Sequence, residues 1–95
     1  MKQFRWNEEK NEQLKLKRGI SFEKMVQAIE NGQALQVLPH PNAKKYPRQS
    51  MYVIHLNDYA YLVPFVEEED SVFLKTIIPS RKATKKYLGD QHEKI

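Results

Sequence analysis

The densest run of residues able to do chemistry is Ser80-Arg81-Lys82-Ala83-Thr84-Lys85-Lys86-Tyr87, which holds four cations and a phenol. On a helix Arg81 and Lys85 lie four apart, as do Lys82 and Lys86, so two cationic ridges form side by side. Such an array can neutralise several phosphates, and Tyr87 can stack on a base or hydrogen-bond a phosphate. A solvated surface helix has the same composition, and pattern alone does not separate the two readings. A second basic group is Lys15, Lys17 and Arg18. A third is Lys44, Lys45 and Arg48, interleaved with Tyr46. Cations mixed with aromatics suit single-stranded RNA, provided that folding gathers them in one place.

Other chemistries leave little trace. The histidines are His40, His55 and His92, and no two have metal-ligand spacing. There is no cysteine, so neither a metal site nor a cofactor is expected, and no disulfide can form. His55 alternates onto the same strand face as Met51 and Val53. It can serve there as a general base near neutral pH, or sit as a half-buried sheet histidine. Glu67-Glu68-Glu69-Asp70 reads as a solvated turn that repels nucleic acid and faces away from it. Three isolated glycines exclude a Gly-rich phosphate loop, and no Ser-His-Asp or Cys-His arrangement is legible.

The elements that must position these residues follow from periodicity and capping. The 95 residues suit one compact domain over 1–95, with a frayed tail at 90–95. The net charge of +4 favours an anionic partner. Met1 to Trp6 contain no apolar run and no stretch reaches membrane-spanning length, so a soluble, cytoplasmic protein without membrane contact is expected. Phe4 and Trp6 alternate in a short strand. Asn7 caps a polar helix that ends at Gly19, with Leu14 as its anchor. Ser21 caps a second helix whose Phe22, Met25, Val26 and Ile29 make one apolar face. Ala34 to Leu38, Ser50–Leu56, Tyr59–Val66 and Ser71–Ile78 read as strands, with Asn57-Asp58 as a tight hairpin turn. Pro64 cannot donate to a ladder, which predicts an edge position or a bulge. Ser80 caps a short last helix that Gly89 stops. The expected class is α+β: two N-terminal helices on a curved antiparallel sheet of about four strands, with the opposite face or the groove beside the last helix left for function.

Two stretches carry a resemblance. One is Phe4-Arg5-Trp6-Asn7-Glu8-Glu9-Lys10 with Lys17-Arg18-Gly19-Ile20-Ser21-Phe22-Glu23. The other is Ile77-Ile78-Pro79-Ser80-Arg81-Lys82-Ala83-Thr84 with Tyr87. Together they resemble the BrnT family of toxins from type II toxin–antitoxin pairs, of which this chain looks like a divergent member. The resemblance implies a RelE-like fold, ribonuclease activity and translation arrest. It also implies a cognate antitoxin with a ribbon-helix-helix segment, through which alone operator DNA is reached. Lys10, Lys17, Arg48, Arg81 and Tyr87 match or nearly match the family's recurrent polar residues. Arg18 stands where the family has His, and the segment after Thr84 is shorter and lacks a Glu-Arg pair, so no role of that His or Glu carries over.

The reading that results is a metal-independent endoribonuclease. Arg81 and Arg48 stabilise the transition state, His55 or Tyr87 or a lysine moves protons, and Lys17, Arg18, Lys44, Lys45, Lys82, Lys85 and Lys86 bind RNA. The rival is a non-catalytic module of the same fold that binds RNA or the antitoxin. The first reading requires Arg48 and Arg81 to share one anion-receptive surface.

Overall fold

The structure, a computed structural model, describes residues 2–93. After strand β1 (Gln3–Arg5), the Asn7 side chain accepts the Lys10 N–H at 2.9 Å and starts helix α1 (Glu8–Arg18). Gly19 ends α1 in the left-handed region at φ 67°, where its N–H reaches the Lys15 carbonyl. Ser21 then caps helix α2 (Phe22–Glu30), its hydroxyl accepting the Lys24 N–H. The elbow between the helices is fixed by Asn11, which is fully buried. Its Oδ1 accepts the Phe22 N–H at 2.8 Å and its Nδ2 donates to Glu23 Oε1 at 2.8 Å. That second bond is the main reason the Glu23 carboxyl is held below its ordinary pKa.

Strands β2 (Ala34–Pro39), β3 (Gln49–Leu56) and β4 (Tyr59–Glu67) form an antiparallel meander. Asn57 and Asp58 both adopt positive φ, as a two-residue hairpin of this hand requires. Strands β5 (Ser71–Leu74) and β6 (Ile78–Pro79) follow, then helix α3 (Arg81–Glu93). The sheet order is β1-β5-β4-β3-β2, with β6 also paired to β4. The expected antiparallel sheet of about four strands is therefore corrected to a mixed sheet of six. Its extra features are β1, parallel to β5 with Gln3 beside Ser71, and the division of the expected strand 71–78 into two.

Pro64 accounts for that division. It lies in the central strand β4, not at an edge. Its carbonyl accepts the Lys75 N–H at 2.8 Å, so its missing N–H faces the same neighbour. The ladder on that side breaks between Leu74 and Ile78, and the irregularity anticipated at Pro64 appears in the adjoining strand.

The two N-terminal helices cover one face, as expected. Leu14, Ile20, Phe22, Met25 and Ala28 pack against Ile54, Val63, Phe65, Val72, Leu74 and Ile77. Trp6 stacks on Phe22 with ring centroids 5.7 Å apart. The opposite face is not left open, because α3 packs there through Ala83 and Tyr87 against Val53, Ala60, Leu62 and Leu38. Nor is α3 short: Gly89 does not stop it, and the backbone stays helical to Glu93. Of the tail expected to fray, residues 94 and 95 lie outside the described residues. No helix among the described residues is long and apolar enough to cross a membrane.

Replacing Asn11 by Ala orphans the buried Phe22 N–H and releases Glu23. The expected cost is about 1–3 kcal/mol, read as a lower urea midpoint with an unchanged slope.

Candidate nucleic-acid interface

Helix α1 presents Lys10, Gln13, Leu14, Lys17 and Arg18 along one side, at spacings that recur over successive turns. The broken ladder sets Thr76, Ile77 and Ile78 opposite them, enclosing a groove of about 220 Å³. Leu14 and Ile77 are buried and form its floor. A second hollow of about 460 Å³ is lined by Asn7, Glu9, Phe73 and Lys75 and shares Lys10 and Gln13 with the first. The two make one trench between α1 and the β5–β6 segment. Its charged lining is Lys10, Lys17, Arg18 and Lys75 against a single carboxylate, Glu9. Among the described residues none of these four cations is ion-paired. Lys15, grouped with Lys17 and Arg18 in sequence, points elsewhere and lies 3.7 Å from Glu12 and 3.9 Å from Glu23.

The trench leads through β6 to α3. Ser80 and Thr84 pin that helix to the sheet. Ser80 Oγ accepts the Ala83 N–H at 3.0 Å. Thr84 Oγ1 accepts the buried Ala60 N–H at 2.8 Å and donates to the Ser80 carbonyl at 2.7 Å. The Ser80 N–H in turn reaches the Ala60 carbonyl. In Ser80-Arg81-Lys82-Ala83-Thr84 the serine, alanine and threonine thus have structural work, and Arg81 and Lys82 stand exposed. Arg81 begins three residues after Ile78 of the groove wall, within about 10 Å of extended chain. Lys85 and Lys86 are exposed further along. Tyr87 is half-buried against Val53, Ala60 and Ala83, with the Lys86 ammonium 5.4 Å from its ring centre.

His55 lies on the α3 face as alternation predicts. It pairs with Ala60 across the β3–β4 ladder, at the same end of the sheet as Ser80 and Arg81. It is partly exposed, and its Nε2 is 3.8 Å from Asp58 Oδ1.

Arg48 is elsewhere. Its carbonyl accepts the Glu67 N–H at 2.8 Å. Ser80, beside Arg81, is bonded to Ala60, so the two arginines mark opposite ends of β4, about 23 Å apart along the strand. Arg48 shares a hollow of about 570 Å³ with Lys2, Pro47, Glu67, Glu68 and Glu69, where three carboxylates face two cations. Lys2, hydrogen-bonded at 2.8 Å, is the main cause of the lowered Glu67 pKa, and Arg48 adds a smaller pull. The expected surface shared by Arg48 and Arg81 does not form. Lys44 and Lys45 stand on the loop before Arg48, both exposed, with the Lys45 ammonium 5.5 Å from the Tyr46 ring. His92 lies in the part of α3 whose side chains are outside the described residues.

Lys75 and Lys10 were not among the expected RNA-binding residues. Lys10 carried a signal through the family resemblance. Lys75 carried none, because its place depends on the ladder break. Among the described residues no cluster of His, Asp and Glu is placed to hold a metal ion.

Fold and surface together define a small basic α+β protein whose sheet margin bears a cationic trench. The chain belongs to the BrnT family: a family model described as ribonuclease toxin, BrnT, of type II toxin–antitoxin system, matches residues 6–86. Membership gives the chain an antitoxin as its partner. No curated protein and no solved structure matches the chain.

Thr84→Val keeps the side-chain shape but leaves the Ala60 N–H without an acceptor. A loss of about 1–3 kcal/mol is expected, with Thr84→Ser restoring most of it in thermal melts.

Proposed function

We propose that residues 1–95 act as a single RelE-like domain that cuts RNA in the cytoplasm and so arrests translation. The observation that carries this reading is the trench of unpaired cations at Lys10, Lys17, Arg18 and Lys75, which leads along β6 to Arg81. Four unneutralised charges in a row suit a phosphodiester backbone. Lys82, Lys85 and Lys86 extend the cationic surface along α3.

The reaction is attack of a 2′-oxygen on the adjacent phosphorus. A 2′-O–P bond forms and the P–O5′ bond breaks, giving a 2′,3′-cyclic phosphate and a free 5′-hydroxyl. One proton leaves the 2′-hydroxyl and one joins O5′. The protein must stabilise charge on the pentavalent transition state and manage those transfers, and side chains alone can do both. Arg81 suits the first task, since a guanidinium stays charged and offers two donors to a phosphate. His55 suits the second, because an imidazole nitrogen can accept a proton and hand one on, and this ring stands at the Arg81 end of the sheet. Tyr87, with its ring against the sheet, is a positioning group in this scheme. The surface shared by Arg48 and Arg81 that the sequence required of a ribonuclease is absent, so Arg48 drops out, its carboxylate neighbours opposing a phosphate. The ribonuclease reading rests instead on family membership and on the trench. A ribbon-helix-helix antitoxin would neutralise the toxin and carry it to operator DNA.

Arg81→Ala is expected to abolish growth inhibition at equal expression and unchanged melting temperature, while Arg48→Ala stays toxic. A toxic Arg81→Ala variant removes Arg81 from the site. In binding to a single-stranded RNA, the Lys10→Ala, Lys17→Ala, Arg18→Ala triple variant should lower the slope of log K against log salt by about 2, near 0.7 for each lost contact. Binding with a steep salt slope but no cleavage by the wild type would instead identify a non-catalytic RNA-binding module.

A further inference from the structure

Strand β2 is the free margin of the sheet: β3 is its only ladder partner among the described residues. His40 gives its N–H inward to the Gln49 carbonyl at 3.2 Å, so by alternation Val37 and Pro39 turn their backbone polar groups outward. Pro39 fits such a margin, since β3 does not need the N–H it lacks. The Val37 N–H is met by the neighbouring Gln36 side chain at 3.3 Å, a long local bond standing in for a strand partner. Proteins usually blunt an exposed edge with charge, most often lysine. Ala34–Pro39 contains no charged residue, and Leu35 and Val37 are 41% and 49% exposed. An uncharged apolar strand that turns the Val37 N–H and the Val37 and Pro39 carbonyls outward is a template for another chain. The loop that follows presents Lys44 and Lys45, which are exposed and form no ion pair among the described residues.

We propose that β2 is the docking edge for an extended segment of the antitoxin, which adds a strand to the sheet. That segment sets apolar side chains against Leu35 and Val37 and carboxylates beside Lys44 and Lys45. The Gln36 amide swings away as the incoming carbonyl takes the Val37 N–H. The proposal rests on membership of a toxin–antitoxin family, which supplies a dedicated protein partner, and not on the reading of the trench. A second copy is the poorer occupant, because pairing β2 with itself brings together two chains of net charge +4. An acidic segment gains from the same charge.

The test uses the full chain and the antitoxin of its own pair, with affinity measured by calorimetry and amide protection by hydrogen exchange. Val37→Pro removes the outward N–H and leaves the β3 ladder intact. The Leu35→Lys, Val37→Lys double variant keeps every backbone group and covers the case in which proline disturbs folding. Both should melt like the wild type and bind the antitoxin at least about tenfold more weakly. The Val37 amide should become protected in the wild-type complex. Wild-type affinity in either folded variant, or unchanged exchange at Val37, overturns the assignment. A wild-type chain that ignores the antitoxin removes the partner itself, and a dimer of the free chain that the double variant dissolves reassigns the edge to a second copy.

Discussion

A hydrogen that is not there organises much of this protein. Pro64 sits in the middle of the sheet with its N-side facing the adjoining strand, and that strand cannot run past it unbroken. The chain leaves the ladder after Leu74, drops Ile77 into the core beneath Leu14, and resumes at Ile78 against Leu62. The detour gives the trench its second wall. It also delivers Ser80 to the Ala60 carbonyl, where the serine can cap α3 and Thr84 can lock it down. Were the ladder continuous, Thr76 to Ile78 would lie flat in the sheet and α1 would face no groove.

Charge is partitioned by the same frame. The turn between β4 and β5 concentrates Glu67, Glu68, Glu69 and Asp70, and Lys2 and Arg48 are drawn to it. The other end, where β6 enters α3, carries Arg81 and Lys82 with no carboxylate in the intervening chain from Ile77. Two ends of one strand thus differ in sign. Net charge conceals this polarity, since +4 sums sixteen cations and twelve carboxylates over the whole chain without regard to where they lie.

Features that depend on a few neighbouring residues were legible. Asn7, Gly19 and Ser21 cap or end their helices as their side chains and backbone freedom dictate, and Asn57-Asp58 makes the predicted hairpin. The apolar face of α2 meets the sheet as its spacing requires. The pairing of β1 with β5 was not legible, because three residues carry no register and their partner lies at the far end of the chain. Asn11 reads as an ordinary polar residue of a solvated helix until the elbow buries it. Gly89 reads as a stop, yet the roughly 1 kcal/mol a mid-helix glycine costs is easily offset when Leu88 beside it is buried. The separation of Arg48 from Arg81 was not legible: their expected shared surface depended on strand pairing, and the register of β4 sets them at its two ends, with Arg48 beside the acidic turn.

The trench is built from segments far apart in the sequence, α1 on one side and Thr76 to Ile78 on the other. Synthesis supplies them in order, helix first and opposing wall last. The β3–β4 hairpin, closed by a two-residue turn, can form within microseconds of leaving the ribosome. The parallel seam between β1 and β5 must wait for most of the chain. A polypeptide that has not yet reached Thr76 therefore carries half a groove, and the complete surface exists only once residues 76–78 have been made and folded against α1.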